Sequence, residues 1–516
     1  MKKGDCVKSL GKVVVLITAF SVLTRLLGFL FRIFLSRTIG AEAIGIYQVA
    51  SSVFMIFVTI VSSGLPLIIS RMTASYRVKK DKVNMARLVT SSLFLSLSIS
   101  IVLCGFVLLC RGVFEKIFTD DACIMVLIAL LPGVVFSAVY SVYRGALWGK
   151  DNYFALCLSE LFEQVVRIII FVVILGASFT VISSAMSLAW SMTIACLCSA
   201  IFVIILFFVY GGKMGKPAKL AFEVLKKATP ITGVRLAGSL LMPLLAIIIP
   251  LRLVAVGYTE SQAMSLYGIA FGMTYPLLFI PSTLIGSLAM ALIPDIAMAK
   301  ENENLGYIQE RIQSSIFFSI LVSFAIVPVF IALGENLGLF FYNNAMSGTL
   351  LSLSAWIMVP MGITNITSAI LNSVGLEMKS FINYFIGSIG MIISAWVLPS
   401  FMGINAFAWG LGICTAVTSI LNCLMIKRKL KVKTGAIKPL AKLTFVCLIS
   451  TAITSFLGRI LFLYVNNFFV LLIAGVVEVL SFVLLCEVFD VFHLKGYFVT
   501  IKSSFFKKKV KNSTKI

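Results

Sequence analysis

Apolar residues run in blocks of about twenty or more along almost the whole chain, separated by short polar segments. A helix of about twenty residues crosses the roughly 30 Å hydrocarbon core of a bilayer, so each block reads as a membrane span. Fourteen blocks fall near 13–35, 45–70, 88–110, 123–145, 156–177, 181–210, 229–256, 263–293, 312–333, 349–374, 380–400, 404–426, 441–463 and 468–490. The expected fold is therefore an all-α polytopic membrane protein of about 14 transmembrane helices. No polar segment between blocks is long enough for a soluble domain.

Composition agrees: 60% of the 516 residues are hydrophobic and only 12% charged, with a mean hydropathy of +1.08. The formal charge of +23 could point to nucleic acid, but its distribution does not. Lysine and arginine gather at alternate ends of the blocks: Lys2, Lys3 and Lys8; Arg71 to Arg87; Lys213 to Lys227; Lys427 to Lys433; and the tail with Lys507, Lys508, Lys509 and Lys511. The opposite ends carry only Arg37, Arg111 and Lys116. This bias places the basic segments, and both termini, in the cytoplasm of a multi-pass cell-membrane protein. The first block is too long for a signal peptide and lacks a small-residue cleavage pattern before Arg37. The eleven cysteines lie mostly in or at the ends of blocks without metal-ligand spacing, as small packing residues do.

A weak internal repeat relates Ala43-Ile44-Gly45-Ile46-Tyr47-Gln48-Val49-Ala50 to Ala263-Met264-Ser265-Leu266-Tyr267-Gly268-Ile269-Ala270, with Ser62 and Ser282 in the same register. Each copy opens the second long block of a group of six. This gives a parallel duplication and three parts: a six-helix lobe over 1–210, a second over 211–426, and a terminal helix pair with a basic tail over 427–516. Helix breakers concentrate in the seventh block (Pro243, Pro250) and the eighth (Pro276, Pro281), with Gly64-Leu65-Pro66 and Pro360-Met361-Gly362 in the second and tenth. Proline in a span frees carbonyls and bends the axis, which serves either rocking motions or static packing.

The charges inside the blocks carry the chemistry. Arg25 lies deep in the first block, and Arg32 follows two helical turns later on the same face. An arginine at bilayer depth is costly unless it faces protein or water, so Arg25 points to a cavity for an anion. Arg32 either shares that cavity or snorkels to the interface. In the fifth block Glu160, Glu163, Gln164 and Arg167 form one polar stripe. Glu163 and Arg167 are an i, i+4 pair able to neutralise each other, as a cavity wall or as architecture. Arg235 lies about two turns inside the seventh block, Arg252 near its outer end, and Glu478 in the middle of the last. Deep charges that are mainly arginines favour phosphate or diphosphate, because the guanidinium fork matches phosphate oxygens and stays charged. The candidate substrate-binding residues are Arg25, Arg32, Arg235, Glu163 and Arg167, with no catalytic or metal-ligand set. The single histidine, His493, lies at the edge of the last block, and no glycine-rich phosphate loop is present. No cofactor is implied, and an enzyme is disfavoured.

Thr24-Arg25-Leu26-Leu27-Gly28-Phe29, Arg32, and Ser36 through Tyr47 resemble the opening of the stage V sporulation protein B family. So do Tyr143 through Lys150, Glu160 through Ile168, and Gly64-Leu65-Pro66 followed by Ile69-Ser70. The family belongs to the multidrug, oligosaccharidyl-lipid and polysaccharide exporter superfamily. The resemblance implies a V-shaped bundle with a cationic cavity, a lipid-tail groove on the last two spans, and a flippase for a polyprenyl-diphosphate-linked saccharide in spore cortex peptidoglycan synthesis. It implies membrane lipids and cell-wall synthesis proteins as partners, and no nucleic acid. Arg25 matches an essential arginine of the Gram-negative lipid II flippases. Their next arginine falls at Phe31, one place before Arg32, and their eighth-span arginine falls where Gly272-Met273-Thr274-Tyr275 stands here. Two alternatives stay open: a flippase for another polysaccharide repeat unit, and a cation-coupled drug exporter. The exporter would want an acidic residue in the first or seventh block, and neither has one.

Overall fold

The computed structural model describes residues 3–176, 180–217, 220–301, 305–430, 440–464 and 466–491; His493 and the basic tail lie outside them. The chain is an all-α, multi-pass membrane protein. Twelve helical stretches among the described residues are long and apolar enough to cross a membrane. The first of them, Leu16–Val78, holds the first two spans, which meet at Gly40, where φ is 77°. Only glycine adopts that backbone freely. The fifth expected span, α6 (Tyr153–Leu175), is helical as well and lies outside the twelve because its stripe carries three charges, Glu160, Glu163 and Arg167. With that division and that addition, the helices follow the fourteen blocks.

The chain forms two compact units, one of 1–276 with 392–406, the other of 277–391 with 407–516. In the first unit, α1 (Lys3–Ser62) packs on α5 (Ala122–Gly149), α6 and α7 (Val181–Val209). Helix α5 also packs on α2 (Leu65–Val78) and α3 (Lys82–Leu109), and the short α4 (Arg111–Ile117) follows α3. Leu65, Ile69, Leu88, Val142, Leu147, Phe207 and Val224 form a shared core there. Helices α8 (Leu220–Ser239), α9 (Leu241–Ala255) and α10 (Glu260–Tyr267) belong to the same unit, because α8 packs on α2 and α3 and both α9 and α10 pack on α1. This compact unit and the repeat-based lobe ending at 210 are thus different divisions of the chain.

The repeated segments lie directly against each other. A Cβ on Gly45 would run into the carbonyl of Met264, and one on Gly268 into the carbonyl of Ala41. Two backbones can cross this closely only at small residues. After α10 the helix opens into a π-helical turn, Gly268–Thr274, in which Tyr275 N–H donates to the Ala270 carbonyl. Pro276 explains its place: it has no N–H to offer Gly272, and its ring crowds that carbonyl, so the helix widens just before it. The seventh span breaks in a similar way between α8 and α9, close to Pro243, and the second breaks between α1 and α2 at Ser63-Gly64, ahead of Pro66.

In the second unit, α12 (Leu305–Tyr342) is the central element after α11 (Tyr275–Glu301). It packs on α13 (Ala345–Ser354), α14 (Met358–Ser373), α18 (Leu440–Tyr464) and α19 (Asn467–Val488), and α18 packs on α19. Buried amides join α14, α15 (Glu377–Val397) and α17 (Ala406–Leu430), which follows the single-turn α16 (Pro399–Met402). Asn383 Nδ2 donates to Asn422 Oδ1 at 2.9 Å, and Asn422 Nδ2 donates to Thr367 Oγ1 and Ser368 Oγ at 3.2 and 3.0 Å. In the terminal pair Glu478 is fully buried and accepts hydrogen bonds from the hydroxyls of Ser450 and Thr454.

Candidate functional site: a cationic cavity in the first unit

A cavity of about 300 Å³ lies in the first unit, lined by α1, α6, α7 and the π-helical turn. Two cations reach it from different helices, Arg32 of α1 and Arg167 of α6, together with the polar side chains of Tyr47, Gln48, Ser51, Gln164 and Ser191. Gln164 is buried, and its Oε1 accepts a hydrogen bond from Arg167 Nη2. Arg167 Nη1 lies 3.3 Å from the Met192 sulfur, a weak acceptor, and its buried Nε has no hydrogen-bond partner. A charged donor left with a weak acceptor and an idle N–H keeps capacity for another ligand. Both arginines act electrostatically on the Tyr47 hydroxyl.

Two glycines line the cavity. A Cβ on Gly28 would rest in ordinary contact with Gln164, 3.5 Å from its Nε2. Gly272, in the π-helical turn, lines the cavity, and a Cβ there would strike Ile44. The position expected to carry an arginine in lipid II flippases is therefore a bare stretch of wall. Phe31 lines the cavity too, held edge-on against Phe171 with ring centres 5.5 Å apart.

Of the five residues picked from the sequence, the cavity unites Arg32 and Arg167. Arg25 is exposed, lines no part of this cavity, and makes no hydrogen bond or ion pair among the described residues. Arg235 is committed elsewhere: its Nη1 donates to the Ser63 carbonyl at 2.8 Å, satisfying an acceptor at the α1–α2 break. Glu163 is half-buried and within electrostatic reach of Arg167, but the two form no ion pair. The expected i, i+4 bridge gives way to two other contacts, Arg167 with Gln164 and Glu160 with Arg144 of α5. The partner across the helix interface captures Glu160, and the nearer turn captures Arg167. Tyr47, Gln48, Ser51 and the π-helical turn escaped selection, although the pair Tyr47-Gln48 in an apolar block is a polar signal of the same kind as the stripe.

A cavity with two arginines from different helices and hydroxyl and amide neighbours is suited to a phosphate-bearing anion. The fold around it is shared with solved structures of other membrane proteins. It superposes on the lipid II flippase MurJ in its inward closed conformation with a TM-score of 0.69 at 14% identity, over 92% of this chain and 98% of that one. An inward-facing multidrug resistance MATE family transporter of the MOP superfamily gives 0.68 at 16% identity, over 81% and 98%. Residues 10–300 match the model of the polysaccharide biosynthesis protein family, and the chain belongs to that family. It is 25% identical over 434 residues to Stage V sporulation protein B of Bacillus subtilis (strain 168), covering 81% of this chain and 83% of the relative. The two solved structures are of a transporter and a flippase.

Proposed function

We propose that the protein is a flippase that carries a polyprenyl-diphosphate-linked cell-wall saccharide across the cytoplasmic membrane by alternating access. The observation that carries this reading is the meeting of Arg32 and Arg167 in one cavity that also holds several polar side chains, with an N–H of Arg167 unsatisfied. The diphosphate sits on the two guanidinium groups, while Gln164 keeps Arg167 oriented from the same helix, Glu163 adds a negative charge within electrostatic reach, and Arg25 and Arg235 contribute to the positive field outside this cavity. The similarity to a sporulation protein and to a lipid II flippase favours a precursor of spore cortex peptidoglycan. The working frame is two six-helix lobes, 1–210 and 211–426, with a terminal pair that holds the lipid tail. Both termini and the basic segments face the cytoplasm; in intact cells Lys80→Cys then stays unlabelled by an impermeant thiol reagent on a cysteine-free background. The membrane potential drives reorientation of a cationic cavity at about 2.3 kcal/mol per charge per 100 mV.

Reconstitution tests the function. Proteoliposomes containing the full chain move lipid-linked muropeptide to the outer leaflet, where an added enzyme modifies it, and Arg32→Ala/Arg167→Ala liposomes do not. Movement of a lipid-linked polysaccharide repeat unit in place of muropeptide would keep the diphosphate handle and change the glycan. Efflux of a cationic dye without lipid movement would overturn the proposal.

A further inference from the structure

A second cavity, of about 150 Å³, lies in the first unit at the ends of α2, α3 and α5, where the basic loops gather. Three lysines line it from three different segments: Lys82 at the start of α3, Lys150 just after α5, and Lys213 in the non-helical stretch 212–217. That stretch is held against α3 by the Gly215 N–H, which donates to Thr90 Oγ1 at 3.1 Å. Ala86, Val89 and Phe207 supply apolar lining beside the lysines.

None of the three lysines has an ion pair among the described residues. Lys150 is half-buried, its Nζ 5.2 Å from the centre of the Phe207 ring, and it donates to the Tyr210 carbonyl at 3.3 Å. Burial pulls its pKa below the ordinary lysine value. The neighbouring acids are occupied. Asp81 caps α3, accepting from Asn84 N–H at 2.9 Å and from Asn84 Nδ2 at 2.6 Å, and Asp151 pairs with Arg77 at 2.8 Å. Thr73, which also lines the cavity, is fully buried with a hydroxyl that has no partner. Three like charges border one partly apolar cavity, Lys150 half-buried and Lys82 and Lys213 exposed, beside an idle buried hydroxyl, an arrangement that draws an anion able to accept hydrogen bonds. Ammonium groups serve phosphate as point charges, and basic pockets among helix ends at a membrane surface take head groups.

We propose that this cavity binds a phosphate group, carried by an anionic phospholipid or free in solution, on Lys82, Lys150 and Lys213. None of its residues lines the Arg32/Arg167 cavity, so the site is independent of the flippase reading. The apolar lining gives the glycerol end of a phospholipid a surface to lie on.

Thermal unfolding of the purified full chain in detergent tests it, with added phosphatidylglycerol, phosphatidylcholine or inorganic phosphate. Phosphatidylglycerol raises the midpoint by several degrees and phosphatidylcholine does not. Lys150→Gln and Lys213→Gln each remove at least half of the rise, whereas Lys80→Gln, outside the cavity, keeps it. A rise with the lipid alone assigns the phosphate to the membrane, and an equal rise with inorganic phosphate assigns it to solution. If Lys150→Gln fails to fold, Lys213→Gln, on the non-helical stretch, carries the test. Equal response to both lipids with none to phosphate, or a full rise in both folded variants, overturns the proposal.

Discussion

Glu478 and Arg167 are both ionisable residues on apolar spans, and their surroundings differ in kind. Glu478 of α19 is fully buried, and Ser450 and Thr454 of α18 each donate a hydroxyl to one of its carboxylate oxygens. Arg167 of α6 borders a cavity of about 300 Å³, has a sulfur atom as one of its two partners, and keeps a buried N–H idle. The first group spends its hydrogen-bonding capacity inside the protein and joins two helices. The second holds capacity in reserve beside open space. A charge at membrane depth thus points to a ligand site where a donor stays idle beside open space, and to a joint where its partners come from the neighbouring helix.

The sharpest way to break this comparison is Arg167→Ala. If the idle donor waits for substrate, transport falls about 10- to 100-fold, the equivalent of roughly 1.5–3 kcal/mol for hydrogen bonds to a charged group, while membrane levels hold. Arg167→Lys keeps charge without the fork and retains part of the activity. Normal flux in the alanine variant, measured in proteoliposomes, would place Arg167 with Glu478 as architecture.

Glu478→Ala is expected to act on stability instead. It strands the Ser450 and Thr454 hydroxyls and lowers unfolding free energy by about 1–3 kcal/mol. Replacing all three by apolar residues of similar size restores the melting midpoint and leaves flux intact. Lost flux in a variant that melts normally would mean that Glu478 does more than join helices.

Arg235 lies between the two cases, a charge that spends a donor on the backbone carbonyl of Ser63 at the α1–α2 break. Arg235→Ala is expected to lower stability by less than about 1 kcal/mol, since the group is exposed and solvent replaces the bond, with flux reduced less than in Arg167→Ala. The smallest effect concerns a charge outside the spans. Hydrogen bonds from Asn84 hold Asp81 below the usual carboxylate pKa. Its stabilising contribution is therefore full above the unfolded value of about 3.9 and fades as pH falls through the lower folded value. Asp81→Asn should flatten that part of the acid limb of a melting curve.

Span existence was legible because length and hydropathy suffice for it, and even the charged α6 stood out as a block. Helical spacing alone puts Arg25 and Arg32, seven residues apart, on one expected face. Depth was not legible. Seven residues are about 10 Å along the axis, and the cavity takes Arg32, Tyr47 and Gln48 but ends before Arg25. The partners across helix interfaces were equally hidden, because the contact of Glu160 with Arg144 depends on how α5 and α6 are rotated against each other. An i, i+4 rule, applied to Glu163 and Arg167, sees one helix at a time.

The π-helical turn at Gly268–Thr274 has a genealogical consequence. A π turn winds one residue more than the α-helix that would join the same flanks, which is what a single inserted codon leaves in a helix whose two ends are already anchored. Here one end is pinned by the Gly45–Gly268 crossing and the other begins at Pro276. A relative without the extra residue would keep both ends in place and run a plain α-helix between them. Against a relative with a plain α-helix there, the eighth span would align only with a one-residue gap within 268–274; without it every position on one side would sit about 100° around the helix from its counterpart.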